Sequence, residues 1–436
     1  MKRFTRVFLS LALLAAIFVP PAEAATTRII VRVNGGLSVL KPLCGLLGCT
    51  VNYGLGDPDG EVFLITTPSL LPNLFLSTLR LNLGIVSAEI DLSGNVLGAS
   101  GAPAPPALYD STPVDYYGAT VRRGYVTQPA AQIIQLAQAQ SQFHVDGAGI
   151  VAVIDTGVDS THPALQGVVL PGYDFTRNRD GADEKGDIKQ STAAVVDGSQ
   201  PVFVNQSTAA VVDQSTAAVV DGSGTAGFGH GTMVAGVIHL VAPKAWILPL
   251  KAFNASGAGY TSDVVRAIYR AVNSNARVLN MSFSFSSPSP ELAMALTYAR
   301  LNHVICVASA GNDGMKKAVY PAAYSDRVIG MASTTNDDTR SSFSNYGTPQ
   351  VLVAAPGEGI VTTYPWGAYA AAWGTSFSAP FVSGAAALLL DVSVSAGESD
   401  AAQSIGHAKF ITSDLGKGRL DLTQAVAAWR AALGLK

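Results

Sequence analysis

Three residues of this 436-residue chain stand where a buried element gives way to a polar turn. Asp155 ends the apolar run of GIVAVIDTGVD, His230 opens the apolar stretch of GFGHGTMVAGVIHL, and Ser376 opens that of WGTSFSAPFVSGAAALLL. Singly, each has a plain structural reading: an Asx turn, a capping histidine beside glycine, a serine N-cap. Together they are the parts of acyl transfer. A serine hydroxyl is a weak nucleophile until an imidazole takes its proton. The imidazole in turn needs a carboxylate to fix its tautomer and steady the imidazolium. A fourth part lies in ASAGNDG, where Asn312 ends another core run and offers an amide to an oxyanion. The Ser376 backbone N–H, at a helix start, supplies a second donor.

These residues require a scaffold that brings distant segments together. From about Val126 onward, continuous apolar stretches (GIVAVID, RVLNMSF, HVICVAS, RVIGMAS, VLVAAPG) alternate with helical ones. Burial on both faces of such strands predicts a mainly parallel sheet covered by helices. Reactive groups of such folds sit at strand ends and helix starts.

DTGVDSTHP, GHGTMVAG, SAGN and GTSFSAP, in that order, resemble the four signature segments of the subtilisin-like serine proteases, over roughly residues 126–436. The order Asp, His, Ser is that of subtilisin. The resemblance implies an α/β three-layer sandwich with a mainly parallel central sheet, preceded by a small α+β pro-domain. It implies that Asp155 orients, His230 acts as base and then acid, Ser376 attacks, and Asn312 binds the oxyanion. A protein or peptide substrate is expected as an extended strand between Ser282, Phe283 and Ser284 on one side and Gly257, Gly259 and Tyr260 on the other. Ala310 and Gly311 are expected to line the primary pocket. Ser284, Phe285 and Val319 stand where relatives often carry glycine, which predicts a narrowed primary pocket and small or medium apolar residues before the cut bond. No cofactor is expected. The family's usual calcium site looks absent, since Ala164 replaces an aspartate and GVIHLVAPKAW leaves no room for the second loop. The acidic stretch DGADEKGD is the remaining place for such an ion. Two other classes compete: a catalytically silent binding or adhesion protein on the same fold, and an esterase.

Before the catalytic region, Lys2, Arg3 and Arg6, an apolar run Val7–Val19 and an Ala-Glu-Ala site read as a signal peptide over residues 1–24. The protein is therefore expected to be secreted or extracytoplasmic. No later apolar stretch looks long enough to span a bilayer, so no membrane contact is expected after signal removal. Residues 25–98 show strand, helix, strand, helix and strand patterns and resemble the family's inhibitory pro-region, an intramolecular partner. A Pro- and Gly-rich linker is expected over 99–125. A net charge of -3 gives no reason to expect nucleic acid. Cys44 and Cys49 are close enough to pair in an oxidising compartment, and Cys306 reads as a buried thiol.

One feature fits none of this. QSTAAVVD occurs at Gln190, Gln206 and Gln214, and GSQPVFVN between the first two copies is a worn fourth. It lengthens the interval between Asp155 and His230 to 75 residues. Its apolar cores suit short strands with turn residues at the joints, or a flexible loop. Identical units specify register poorly.

Overall fold

The computed structural model describes residues 26–68, 71–96, 104–187, 194–195, 202–204, 208–212, 218–219 and 227–435. The expected signal peptide lies outside the described residues.

The central sheet has eight strands. In spatial order these are Arg179–Asp180, Tyr173–Asp174, Trp246–Lys251, Ile150–Asp155, Val278–Met281, Ile305–Ser309, Ile329–Thr334 and Val353–Pro356. All neighbours run parallel except the first pair. Period-two alternation sends successive side chains to opposite faces. Val151, Val153, Val278, Ile305 and Val307 join one core with the helices His230–Val241 and Thr375–Val392. Ala152, Ile154, Leu279, Met281 and Cys306 join the other with the helices Thr261–Asn273 and Pro290–Leu301. This is the three-layer α/β sandwich, and it explains why the strands read as unbroken apolar runs. From Ile150–Asp155 the chain crosses to Trp246–Lys251 on one side and then returns to Val278–Met281 on the other. Strand order reverses there, so a crevice opens at the carboxyl ends, where Asp155 lies.

By length and composition the helix Thr375–Val392 could cross a membrane, contrary to the expectation that no later stretch could. Its side chains are instead buried in the core, which accounts for their apolarity.

Residues 27–90 form a four-stranded antiparallel sheet, Thr50–Gly54, Val62–Thr67, Thr27–Val33 and Ile85–Ile90 in spatial order, with helices Leu37–Leu47 and Pro72–Arg80. Cys44 and Cys49 are disulfide-bonded. One face carries Ile30, Leu55, Val62 and Leu64 onto the helices Thr261–Asn273 and Pro290–Leu301. Arg32 pairs with Glu291 at 2.8 Å, and Asp91 accepts from the Ser262 backbone N–H at 2.8 Å. Glu89 accepts from the Ser289 hydroxyl at 2.6 Å. Two acidic side chains of this unit thus meet the N-termini of both helices, where unpaired N–H groups and the helix dipole favour negative charge.

The expected linker needs correction. Its composition suggests a solvated tether, but residues 106–126 contain a 3₁₀ turn, a hairpin and a short helix. Leu108, Tyr116, Val121 and Tyr125 are buried in the core that the helices His230–Val241 and Thr375–Val392 share. The Tyr116 and Tyr125 hydroxyls donate to the Leu240 and Gly236 carbonyls at 2.5 and 2.6 Å. Four buried side chains, two of them tyrosines with satisfied hydroxyls, outweigh the local Pro and Gly content.

Within the octads, Thr208–Val212 pairs antiparallel with Ala368–Ala372, and Val202–Val204 pairs with Thr208–Val212 in turn. Both ladders contain register shifts, as repeated units with weak register would allow.

Candidate active site

Asp155 is the last residue of its strand and is wholly buried. Both of its carboxylate oxygens face His230 Nδ1, at 2.8 and 3.0 Å. The Thr156 backbone N–H donates to Oδ1 at 2.7 Å. His230 begins its helix, and close approach to the strand needs Gly231: a Cβ there would stand 2.0 Å from the Gly157 carbonyl oxygen.

Behind this pair sits Glu184, a buried carboxyl that the sequence shows only as one acid of DGADEKGD. It accepts from the Thr156 hydroxyl at 2.9 Å, from the Gly229 N–H at 2.9 Å and from the Thr232 N–H at 3.1 Å. The Thr232 hydroxyl also donates to it. The strand end and the helix start that carry Asp155 and His230 are thereby joined through one side chain. Burial drives the Glu184 carboxyl up to about 8, against the pull of the Thr232 and Thr156 hydroxyls and of Lys251.

Ser376 lies in the first turn of the helix Thr375–Val392. Its Oγ donates to the Ser282 carbonyl at 3.2 Å, and His230 Nε2, though buried, has no partner among the described residues. Hydroxyl and imidazole are thus not yet joined, a common condition before substrate arrives. Pro380 sits four residues after Ser376 in this helix and lacks the N–H that would bond the Ser376 carbonyl. The Ser282 hydroxyl fills that vacancy at 2.8 Å. Ser282 therefore fixes the turn that carries Ser376 with its hydroxyl and holds the Ser376 Oγ with its carbonyl.

Asn312 is oriented by Thr375, which sequence analysis passed over. The Thr375 N–H and hydroxyl both meet Asn312 Oδ1 at 2.9 Å. An N–H can only donate, so that atom is the carbonyl oxygen and the NH₂ end is turned the other way. Asn312 and Ser376 line one cleft together with Ser284, Phe283, Gly311 and Val319.

Ser93–Asn95 of the N-terminal unit pairs antiparallel with Ala258–Tyr260, setting Gly94 opposite Gly259 and Ser93 opposite Tyr260. The Gly257 carbonyl accepts from the Val96 N–H at 3.1 Å, and the Ser284 N–H donates to the Asn95 carbonyl at 3.2 Å. Of the expected primary-pocket residues, Gly311 lines this cleft, and Ala310 is buried with Ala332 and Val351. Phe285 is tied to Tyr320 and its ring is turned toward Gly94, so it meets the strand that lies in the cleft.

Two places in the chain bear on a structural cation, Ala164 and the acidic stretch. Ala164 offers no side-chain oxygen and is buried. In the acidic stretch, Lys251 meets Asp187 at 2.8 Å, Arg177 meets Asp187 at 2.5 Å and Lys185 meets Asp159 at 2.6 Å. Among the described residues no group of three or more His, Cys, Asp or Glu side chains is disposed to hold a metal ion.

Comparison with known proteins gives a concordant result. The model of the subtilase family matches residues 147–424. Thermitase of Thermoactinomyces vulgaris is 37% identical over 262 residues, which is 60% of this chain and 81% of thermitase. A thermophilic serine proteinase of Bacillus sp. (strain AK1) is 36% identical over 249 residues, 55% of this chain and 51% of that protein. Subtilisin Savinase of Lederbergia lenta is 38% identical over 172 residues, 37% of this chain and 63% of its own. This chain thus spans about half of the Bacillus proteinase. Among solved structures, fervidolysin of Fervidobacterium pennivorans, a keratinolytic enzyme related to subtilisin, is similar with a TM-score of 0.70. It is 23% identical, and the match covers 92% of this chain and 61% of that one, a likeness of fold.

Two outcomes follow from the site. Glu184→Ala leaves the Gly229 and Thr232 N–H groups unpaired inside the protein, at about 1–3 kcal/mol each. Denaturant titration should show a loss of at least about 2 kcal/mol, and an unchanged midpoint would contradict the role given to Glu184. Because Lys185, Lys251 and Arg177 answer the acidic stretch, we propose that no cation is needed there. Thermal midpoints in EDTA and in excess calcium should then coincide, and a large rise with calcium would refute this.

Proposed function

The chain belongs to the subtilase family and is a subtilisin-like serine endopeptidase, and from that premise we propose that it is exported as a precursor and acts through Asp155, His230, Ser376 and Asn312. When substrate enters, the Ser376 hydroxyl leaves the Ser282 carbonyl and turns to His230 Nε2. His230 takes the proton as Oγ attacks the scissile carbonyl. Asp155, on Nδ1, steadies the imidazolium without itself being protonated. The Asn312 amide and the Ser376 N–H receive the oxyanion. Collapse expels the amine, which leaves with the proton from His230, and a serine ester remains. Water then repeats the sequence, with His230 again base and acid, and frees the hydroxyl.

One observation carries the peptide-cleaving reading: a polypeptide segment, Ser93–Asn95, already lies in the cleft as a paired strand. Main-chain pairing of that kind suits an extended peptide of varied sequence. It favours an endopeptidase over an ester-selective enzyme, which would have no use for the strand. The same segment supports reading residues 26–96 as an intramolecular inhibitor that occupies the cleft until it is cut away. The signal-like residues 1–24 support export.

Register nominates the bond that is cut. Asn95 stands opposite Ser284 in an antiparallel pairing, and Ser282 touches the nucleophile. Counting two residues on from Asn95 along the sequence makes Leu97, which lies outside the described residues, the residue before the scissile bond in this proposal. We therefore expect self-cleavage between Leu97 and Gly98, upstream of the expected linker.

N-terminal sequencing of the secreted product tests this. Wild type should begin at Gly98, or at a trimmed position downstream of it, whereas Ser376→Ala should retain the N-terminal unit. Peptide turnover by Ser376→Ala should fall on the order of 10⁶-fold, the magnitude measured when subtilisin itself loses its nucleophile. Absence of turnover by the wild type would leave the silent binding protein as the surviving reading, and equal turnover by both proteins would remove Ser376 as the nucleophile.

A further inference from the structure

The strand in the cleft reports what each substrate position meets, given the reading that residues 93–96 lie as a substrate does. Side chains alternate along it. Ser93 and Asn95 are exposed, whereas Val96 is buried among apolar residues of the catalytic domain and Gly94 faces inward with it. The two inward positions are therefore the ones the protein can inspect.

Gly94 has no room for a side chain. A Cβ built on it would lie 2.6 Å from both Cδ1 and Cε1 of Phe285 and 2.9 Å from the Ser284 carbonyl oxygen. Carbon contacts are favourable at about 3.5–4.0 Å. Backbone freedom does not explain this glycine, because it is not among those with positive φ. The obstacle is also held in place. Phe285 is 2% exposed, and its N–H and carbonyl both bond Tyr320, at 2.7 and 3.0 Å. Its ring stands edge-on to Phe283 with centroids 5.8 Å apart, and Phe283 packs on Phe253 at 4.9 Å. Across the strand, a Cβ on Gly259 would meet the Phe253 ring at 2.6 Å. Where an inward side chain would need a hollow, the cleft has a filled aromatic floor.

We propose that Phe285 makes glycine the required residue at the substrate position held by Gly94, three residues before the residue whose carbonyl is attacked. The preferred substrates are then chains with glycine at that point, such as glycine-rich segments of proteins. Phe285 is a specificity-determining residue and takes no part in the bond-breaking steps.

The test uses the processed enzyme and a set of fluorogenic peptides that reproduce Ser-Gly-Asn-Val-Leu before the reporter. They differ solely in Gly, Ala or Leu at the second position. kcat/KM should fall about 10- to 200-fold from Gly to Leu, the range for a methylene-scale misfit. Ala should lie between them. Phe285→Gly should bring the Leu peptide up toward the Gly peptide, and Phe285→Leu provides the same comparison if the glycine variant does not fold. Wild-type enzyme that cleaves the Gly and Leu peptides equally well overturns the proposal while leaving the protease reading intact. Cleavage of none of the three peptides would overturn the protease reading itself.

Discussion

A carboxylate sealed inside a protein must be answered by donors that stay in place, and Asp155 meets that condition through His230. Both of its oxygens lie within 3.0 Å of Nδ1, and the Thr156 N–H holds one of them. The arrangement persists because the strand that ends in Asp155 is flanked on both sides by parallel strands and covered on both faces. Gly231 lets the histidine helix come against that strand end, and Glu184 ties the two together through Thr156, Gly229 and Thr232. An unpaired charge at this depth would cost several kcal/mol, so the pair constrains the surrounding fold as much as the fold constrains the pair.

The nucleophile obeys a second constraint of the same kind. Pro380 removes a helix hydrogen bond, Ser282 replaces it, and the replacement couples the serine turn to the strand edge that a peptide would meet. Thr375 fixes which end of the Asn312 amide is available. Neither device takes part in the chemistry. Each sets the direction of a group that the proposed mechanism uses, which is the kind of preorganisation on which electrostatic stabilisation of an oxyanion depends.

Much of this was legible in the sequence because it rests on local pattern. Unbroken apolar runs such as VAVID and VICVAS gave away the two-faced sheet, and the four motifs marked Asp155, His230, Asn312 and Ser376. What stayed hidden depends on long-range contact. Glu184 looked like one more acid in DGADEKGD, because its donors arrive from a helix 45 residues away. Residues 106–125 read as a tether, since nothing local says that Tyr116 and Tyr125 have carbonyl partners on the histidine helix. The contact of Phe285 with Gly94 is hidden in the same way, because a one-dimensional pattern does not tell which way an edge side chain turns. The octads offered period without a partner, and pairing with Ala368–Ala372 could not be inferred from the repeat itself.

The account stands on one claim, that the imidazole held by Asp155 activates the Ser376 hydroxyl. Exposure of the processed protein to a fluorophosphonate, followed by peptide mapping in wild type and in His230→Ala, addresses it directly. The account predicts an adduct on Ser376 in wild type and a profound loss of labelling without the imidazole. An adduct at another residue, or equal labelling of Ser376 in both proteins, would contradict it.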